Sequence, residues 1–377
     1  MRNKSLLAAV LLAMFSCGAP DTPEPEPVVP EVPSFAKGAD ISWASEMEAG
    51  GRTFKTRGGK AASLPQVLSD CGFNAVRLRV WVTPYKGWSG REDVVAAAKK
   101  AWEAGLHLMV DFHYSDFFAD PSRQLVPEAW KEDAADLSKL AGHVESHTTE
   151  VLGALKAAGV EVAWIQIGNE TRGGMLYPAG ALDYNNKGAE FTGFVRLYNA
   201  GYAAAKAVYP KVQVMPHLNN AYAAQDNKWW LDAFKAQGGK MDMIALSHYP
   251  QYESRLNGRV LTPTEVNQNA LSYIKAAITA YGVPVMVSEV GVKTGAGEAT
   301  AKALLKDFVT QARGISGCAG VFYWEPEVDG IWKPEIYGLP AQLSRYTGTL
   351  QSAWSPYDQG AFTPSGQPTP VLDIFTE

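Results

Sequence analysis

Two glutamates stand where a catalytic acid and its partner could be placed. Trp164-Ile165-Gln166-Ile167-Gly168-Asn169-Glu170 reads as a short buried strand followed by a glycine, an amide and a carboxylic acid. Val285-Met286-Val287-Ser288-Glu289 is a second apolar strand that ends in glutamate. A carboxylate just past a buried parallel strand is poorly placed for packing. It is well placed for chemistry on the C-terminal face of an α/β barrel. Two such acids across one barrel mouth suit glycoside hydrolysis. One protonates the leaving oxygen, and the other attacks the anomeric carbon or activates a water. Either acid alone could equally be a salt-bridged rim residue.

The flanking residue types fit a sugar cleft. Asn169, directly before Glu170, offers an amide to a sugar hydroxyl. Arg77 and Arg79 share one face of a strand, because strand side chains repeat every second residue. A buried arginine needs an anion. An ionised Glu289 would serve and would be held deprotonated; Asp40 or Asp111 would make a structural bridge instead. His113, His217 and His248 each stand just after a strand, within or beside polar–aromatic clusters that include Asp111, Asp116 and Tyr249. Trp43, Trp81 and Trp324 sit at the ends of the first, second and eighth strands. Stacking and hydroxyl-binding roles are expected for this set.

The elements that must position these residues alternate along the chain. Strands are expected over 39–42, 75–80, 107–112, 164–167, 212–216, 243–247, 285–289 and 320–324. Helical patterns over 60–70, 92–104, 137–155, 191–208, 229–237, 263–281 and 299–313 lie between them. Eight such units predict a (β/α)₈ TIM barrel, one catalytic domain over residues 37–377. A doubly wound open sheet is the main rival, but its Gly-rich phosphate turn is missing. The stretch after Pro326 reads as an ordered closing segment.

Composition narrows the function. The chain has 377 residues, a formal net charge of −5, 11 tryptophans and 16 tyrosines, so no nucleic-acid footprint is expected. Cys71 and Cys318 are too few and too far apart for a disulfide framework and are expected as buried thiols. No metal or cofactor is expected. His143 and His147 are spaced i, i+4, but Val144 stands where a zinc-protease glutamate would be.

The N-terminus reads as a targeting segment. Arg2 and Lys4 precede an apolar run, and Met14-Phe15-Ser16-Cys17-Gly18 resembles a bacterial lipobox with methionine in place of the usual leucine. Residues 1–17 are expected to be a lipoprotein signal with Cys17 as the lipidated residue; simple secretion is the alternative. Residues 18–36 are rich in proline and acid and are expected to be a disordered tether. The expected location is the cell envelope, lipid-anchored at the outer membrane, with the protein a monomer.

Several pieces, taken in order, resemble glycoside hydrolase family 53. They are Lys37-Gly38-Ala39-Asp40-Ile41-Ser42-Trp43, Val76-Arg77-Leu78-Arg79-Val80-Trp81 and Asp111-Phe112-His113-Tyr114-Ser115-Asp116 with Ala119-Asp120-Pro121. Gly168-Asn169-Glu170-Thr171, Val287-Ser288-Glu289 and Phe322-Tyr323-Trp324-Glu325-Pro326 complete the set. The resemblance implies an endo-β-1,4-galactanase with Glu170 as acid/base, Glu289 as nucleophile and the β-1,4-galactan side chains of pectin as substrate. A same-clan β-mannanase or cellulase, or a non-catalytic glycan-binding lipoprotein, is the alternative. Some bacterial members are expected to carry a long acidic, calcium-binding loop after the seventh strand. Here the segment from Val290 to Glu298 is short and Gly-rich with one acid, which predicts no calcium there and a more open cleft on that side.

Overall fold

The computed structural model describes residues 31–377 apart from 184, 187, 253 and 350–357. Cys17 and most of the expected tether lie outside the described residues. Among the described residues no helix is long and apolar enough to cross a membrane.

Eight parallel strands form a closed ring: β1 (Ala36–Asp40), β2 (Ala75–Val80), β3 (His107–Phe112), β4 (Val162–Ile167), β5, β6 (Ile244–His248), β7 (Val285–Val290) and β8 (Cys318–Trp324). β5 comes in two pieces, Gln213–Met215 on β4 and His217–Leu218 on β6, and these close the ring. Pro216 interrupts it because proline has no N–H to give to a ladder; its carbonyl still accepts from the Ala245 amide at 2.9 Å. β1 pairs with both β2 and β8. It begins three residues earlier than expected and takes in Ala36, which the tether reading had included.

Helices α1 (Ala44–Ala49) and α2 (Leu64–Asp70) follow β1. Then α3 (Arg91–Glu103), α4 (Leu137–Ala157), α5 (Thr192–Val208), α6 (Ala224–Ala236), α7 (Pro263–Tyr281) and α8 (Glu298–Arg313) follow β2 to β7 in turn. The start of α7 shows how sequence sets a boundary. Thr262 and Glu265 form a reciprocal capping box and Pro263 takes the first turn, which stabilises the end by about 1 kcal/mol.

The core has two layers. The larger fills the space between strands and helices. The smaller plugs the barrel with Ala36, Ala75, Met109, Trp164, Met215, Met243, Ala245, Met286 and Phe322. Gly38 belongs to this inner layer, where a Cβ would overlap the Phe322 ring. The polar residues of the site lie further along the same strands, on top of this plug.

Candidate active site

Inward-facing residues climb each strand by twos. Above Ala75 come Arg77 and Arg79; above Met109 come Asp111 and His113; above Ala245 come Ser247 and Tyr249; above Met215 comes His217. All of these are buried or half-buried at the barrel mouth. The apolar plug thus gives way to a polar layer that floors a cleft of about 490 Å³.

Each glutamate reaches this layer through a break in strand regularity. On β7, Met286 faces inward, so strict alternation would turn Ser288 in and Glu289 out. The pairing of β7 with β6 slips between Val287 and Glu289, leaving Ser288 as an extra residue. This bulge re-aims Glu289 into the cleft. On β4 the break is Gly168, at φ +82°, where an added Cβ would overlap Thr171 Cγ2. Glu170 itself lies in the left-handed region at φ 45° and ψ 55°. A non-glycine residue held there costs about 1 kcal/mol or more, a strain commonly found at functional sites.

Arg77 organises the floor. Its guanidinium donates to Gln166 Oε1 at 2.7 Å, Asp40 Oδ2 at 2.6 Å, Asp111 Oδ2 at 2.8 Å, Asn169 Oδ1 at 2.8 Å and Glu289 Oε1 at 2.9 Å. The two partners considered as alternatives, catalytic and structural, are bound together. Burial alone would raise Asp111, but Arg77 and His113 outweigh it and hold the carboxyl at about 2. Arg79 pairs with Glu325 and lies over the Trp43 ring at 4.0 Å.

Carboxyl oxygens of Glu170 and Glu289 and a ring nitrogen of His217 all lie within 4.8 Å of one another. That separation matches a retaining pair, about 5–5.5 Å, and leaves too little room for the water of an inverting pair. The two acids differ in their partners. Glu289 Oε2 accepts from the Tyr249 hydroxyl at 2.6 Å and from Ser247 Oγ at 3.2 Å, while Oε1 takes Arg77. Glu170 is partly accessible at the cleft floor, yet the surrounding protein desolvates it. Burial first, and then the charge of Glu289, push its carboxyl up to about 8. Burial raises Glu289 as well, but Arg77 and Tyr249 act against that rise. Glu289 therefore ionises first and Glu170 keeps the proton.

A metal fits this trio poorly. His217 Nδ1 lies 3.2 Å from the Glu170 amide nitrogen, Nε2 lies 2.8 Å from Ser247 Oγ, and the Glu289 oxygens are already taken by Arg77, Tyr249 and Ser247. His217 stays neutral, because burial and then Arg77 push it well below its ordinary value.

The other expected residues divide into groups. Asp40, Arg77, Arg79, His113, Asn169, Tyr249 and Trp324 line the cleft with both glutamates. Asp111 and His217 sit beneath and bond to the lining. Four expectations are corrected by their surroundings. His248 lies one residue out of phase with Ser247 and Tyr249. It faces the helices, stacked on Phe308 at 4.0 Å and bonded to Asn267. Asp116 ties its own loop to the one after β2, accepting from the Glu128 and Thr83 amides. Trp43 and Trp81 are buried behind Arg79 and Phe118, packed on each other edge to face. Sequence reasoning missed Asn219, Asn220, Tyr222, Tyr252, Tyr337 and Gln359 in the lining. The polar pair Asn219-Asn220, just past β5, was a usable signal. Gln359 had none, because only the tertiary fold brings it back.

Residues 36–375 match the model of glycosyl hydrolase family 53. The chain belongs to this family. As a family 53 member it is a glycoside hydrolase. It is 31% identical over 309 residues to the probable arabinogalactan endo-β-1,4-galactanase A of Aspergillus terreus, covering 77% of this chain and 85% of the relative. It is 29% identical over 401 residues to the endo-β-1,4-galactanase of Bacillus subtilis, covering 90% and 85%. Among solved structures, a fungal β-1,4-galactanase aligns with TM-score 0.73 and 25% identity over 90% of this chain and 98% of that one. The family 53 catalytic domain from Ignisphaera aggregans aligns with TM-score 0.75 and 24% identity over 93% and 98%.

Proposed function

We propose that this family 53 hydrolase is a retaining endo-β-1,4-galactanase that cleaves galactan and the type I arabinogalactan side chains of pectin. Glu289 attacks the anomeric carbon while Glu170 donates its proton to the departing oxygen. Glu170 then takes a proton from the water that releases the glycosyl-enzyme. The observation that carries this reading is the unequal environment of two adjacent carboxyls: Glu289 accepts from Arg77 and Tyr249, whereas burial and the neighbouring charge of Glu289 favour the protonated form of Glu170. Asp40, Arg79, His113, Asn169 and Trp324 are the side chains proposed to meet the sugar. The galactanase names of the relatives support the choice of galactan over mannan or cellulose.

Two measurements test the reading. Reducing-end release is expected from galactan and not from mannan or carboxymethylcellulose. NMR of the first product is expected to show the β-anomer. An initial α-anomer would overturn the nucleophile assignment.

We further propose that the chain is a monomeric lipoprotein of the cell envelope, held at the outer membrane through Cys17 and spaced from it by residues 18–36. The support is the basic start, apolar run and lipobox-like Met14-Phe15-Ser16-Cys17. Wild type is expected to partition into detergent and Cys17→Ser into the aqueous phase. Aqueous partitioning of both forms would rule the anchor out.

A further inference from the structure

Two further hollows adjoin each other on the β2–β3 side of the barrel. The first, of about 510 Å³, lies between the loop after β2 with the start of α3 and the middle of α4. The second, of about 500 Å³, meets it at Thr83. The short 3₁₀ turn Glu128–Asp133 stands between them, with Trp130 in the wall of the first and Ala129 and Lys131 in the wall of the second. Each volume falls within the usual range for ligand sites, about 300–1,000 Å³. Two hollows in line suit a linear chain better than one compact ligand. The first is lined by groups that suit a neutral sugar. The Trp130 and His143 rings are stacked, with centroids 5.3 Å apart and planes at 6°, and His143 Nε2 is fixed by Asp133 at 2.9 Å. Such flat rings are surfaces on which the apolar face of a pyranose can stack. His143 and His147, the i, i+4 pair of the sequence, thus line a groove rather than hold a metal. Burial and then Arg91 push His147 down to about 4, so its ring stays neutral, and its Nε2 has no hydrogen-bond partner. Arg91 bonds Glu92 at 2.7 Å and Glu150 at 3.4 Å. In the second hollow Asp116 and Glu128 balance Lys131 and Arg345. No excess of positive charge is left to favour an anionic ligand.

We infer that these two hollows form one trough, a second binding site for the neutral β-linked galactan chain, separate from the cleft that cleaves it. The inference rests on the galactanase reading for the identity of the sugar. The trough shares no lining residue with the cleft. The loop after β3 divides them: Asp116 lines the trough, and Phe117 and Phe118, next along the chain, line the cleft. One polymer can therefore lie in the trough with one stretch and in the cleft with another. Once either stretch is bound, the other binds as an intramolecular event at raised effective concentration. The trough thus adds affinity for long chains and none for oligomers too short to reach both sites.

The test compares polymer with oligomer. Ser146→Trp fills the trough from an exposed position on α4, and Arg91→Ala removes an exposed guanidinium at the start of α3. Neither residue lines the catalytic cleft. Both variants are expected to turn over galactotriose as the parent does. On galactan their KM is expected to rise roughly three- to tenfold with kcat unchanged, the effect of losing the second point of attachment. Native electrophoresis through gels containing galactan, with Glu289→Gln added to stop turnover, gives the same comparison by binding alone: retardation of the band is expected to weaken when Ser146→Trp or Arg91→Ala is added. If the parent cleaves galactan and neither variant changes the ratio of its KM on galactan to that on galactotriose, or the retardation, the trough assignment is wrong and the galactanase reading stands. If the parent neither cleaves nor binds galactan, the galactanase reading itself falls and the trough's assignment to this sugar falls with it.

Discussion

Glu170 and Glu289 divide their labour through what each one touches. Replacing Glu289 removes the nucleophile, so Glu289→Gln is expected to lower kcat by at least about 10³-fold on every substrate. Glu170→Gln is expected to be milder on aryl glycosides with good leaving groups, because their departure needs little protonation. Glu170 must enter the reaction protonated, and its carboxyl is raised to about 8. The logarithm of kcat/KM is therefore expected to fall with unit slope above about pH 8, a limb that Glu170→Gln removes. The same shift acts on stability. A raised carboxyl means the folded chain holds the proton more tightly than the unfolded chain. The stability this lends is complete below the ordinary value of 4.5 and is lost as pH rises through about 8. Glu170→Gln escapes that loss. It is expected to melt about 1–3 °C above the parent at pH 8, the difference vanishing towards pH 4.5, as read by calorimetry.

Elements with unbroken periodicity were legible from sequence; the functional breaks in them were not. β2, β3 and α7 are found at the residues their patterns predict, and α7 carries its own capping signal. The site depends on departures from pattern. No spacing rule announces the bulge at Ser288 or the left-handed backbone at Glu170, because both are settled by the closed ring around them. The misplacement of His248 has the opposite cause. It follows the expected strand 243–247, whereas β6 runs through it. Alternation from Met243 and Ala245 then sends it outward. Gly168 is the position where local backbone and chemistry meet most directly. Gly168→Ala adds a Cβ at positive φ against Thr171. It is expected to cost about 1–3 kcal/mol of stability. By shifting Glu170 it is also expected to lower kcat at least tenfold. A variant with parent kcat would show that the turn does not set the donor's position.

At the scale of the whole molecule, the chain after β8 completes the rim. Glu325 pairs with Arg79, Glu327 accepts from the Trp43 amide at 3.3 Å, and Asp329 pairs with Arg52. Tyr337 and Gln359 reach the cleft, and the turn Pro370–Phe375 packs on α8. Sequence composition identified a closing segment here, but its partners lie roughly 250–300 residues earlier and leave no local trace. This segment also stands beside the short loop between β7 and α8. Asp358 takes the Thr294 and Gly295 amides, and Gln251 takes that of Lys293. The loop is thus tied to the returning chain at Asp358, whose neighbour Gln359 lines the cleft. Two acids of the segment after β8, Asp329 and Glu335, are committed elsewhere. Asp329 Oδ1 accepts the Ile331 and Trp332 amides while Oδ2 meets Arg52. Glu335 is paired with Lys86. A calcium ion needs about 6–8 oxygen ligands, several of them anionic. Breaking these bonds to supply them would offset the gain. The melting temperature is therefore expected to be the same in chelator and in added calcium. A fall of several degrees in chelator, reversed by calcium, would show that an ion rather than Asp358 and Gln251 holds this loop.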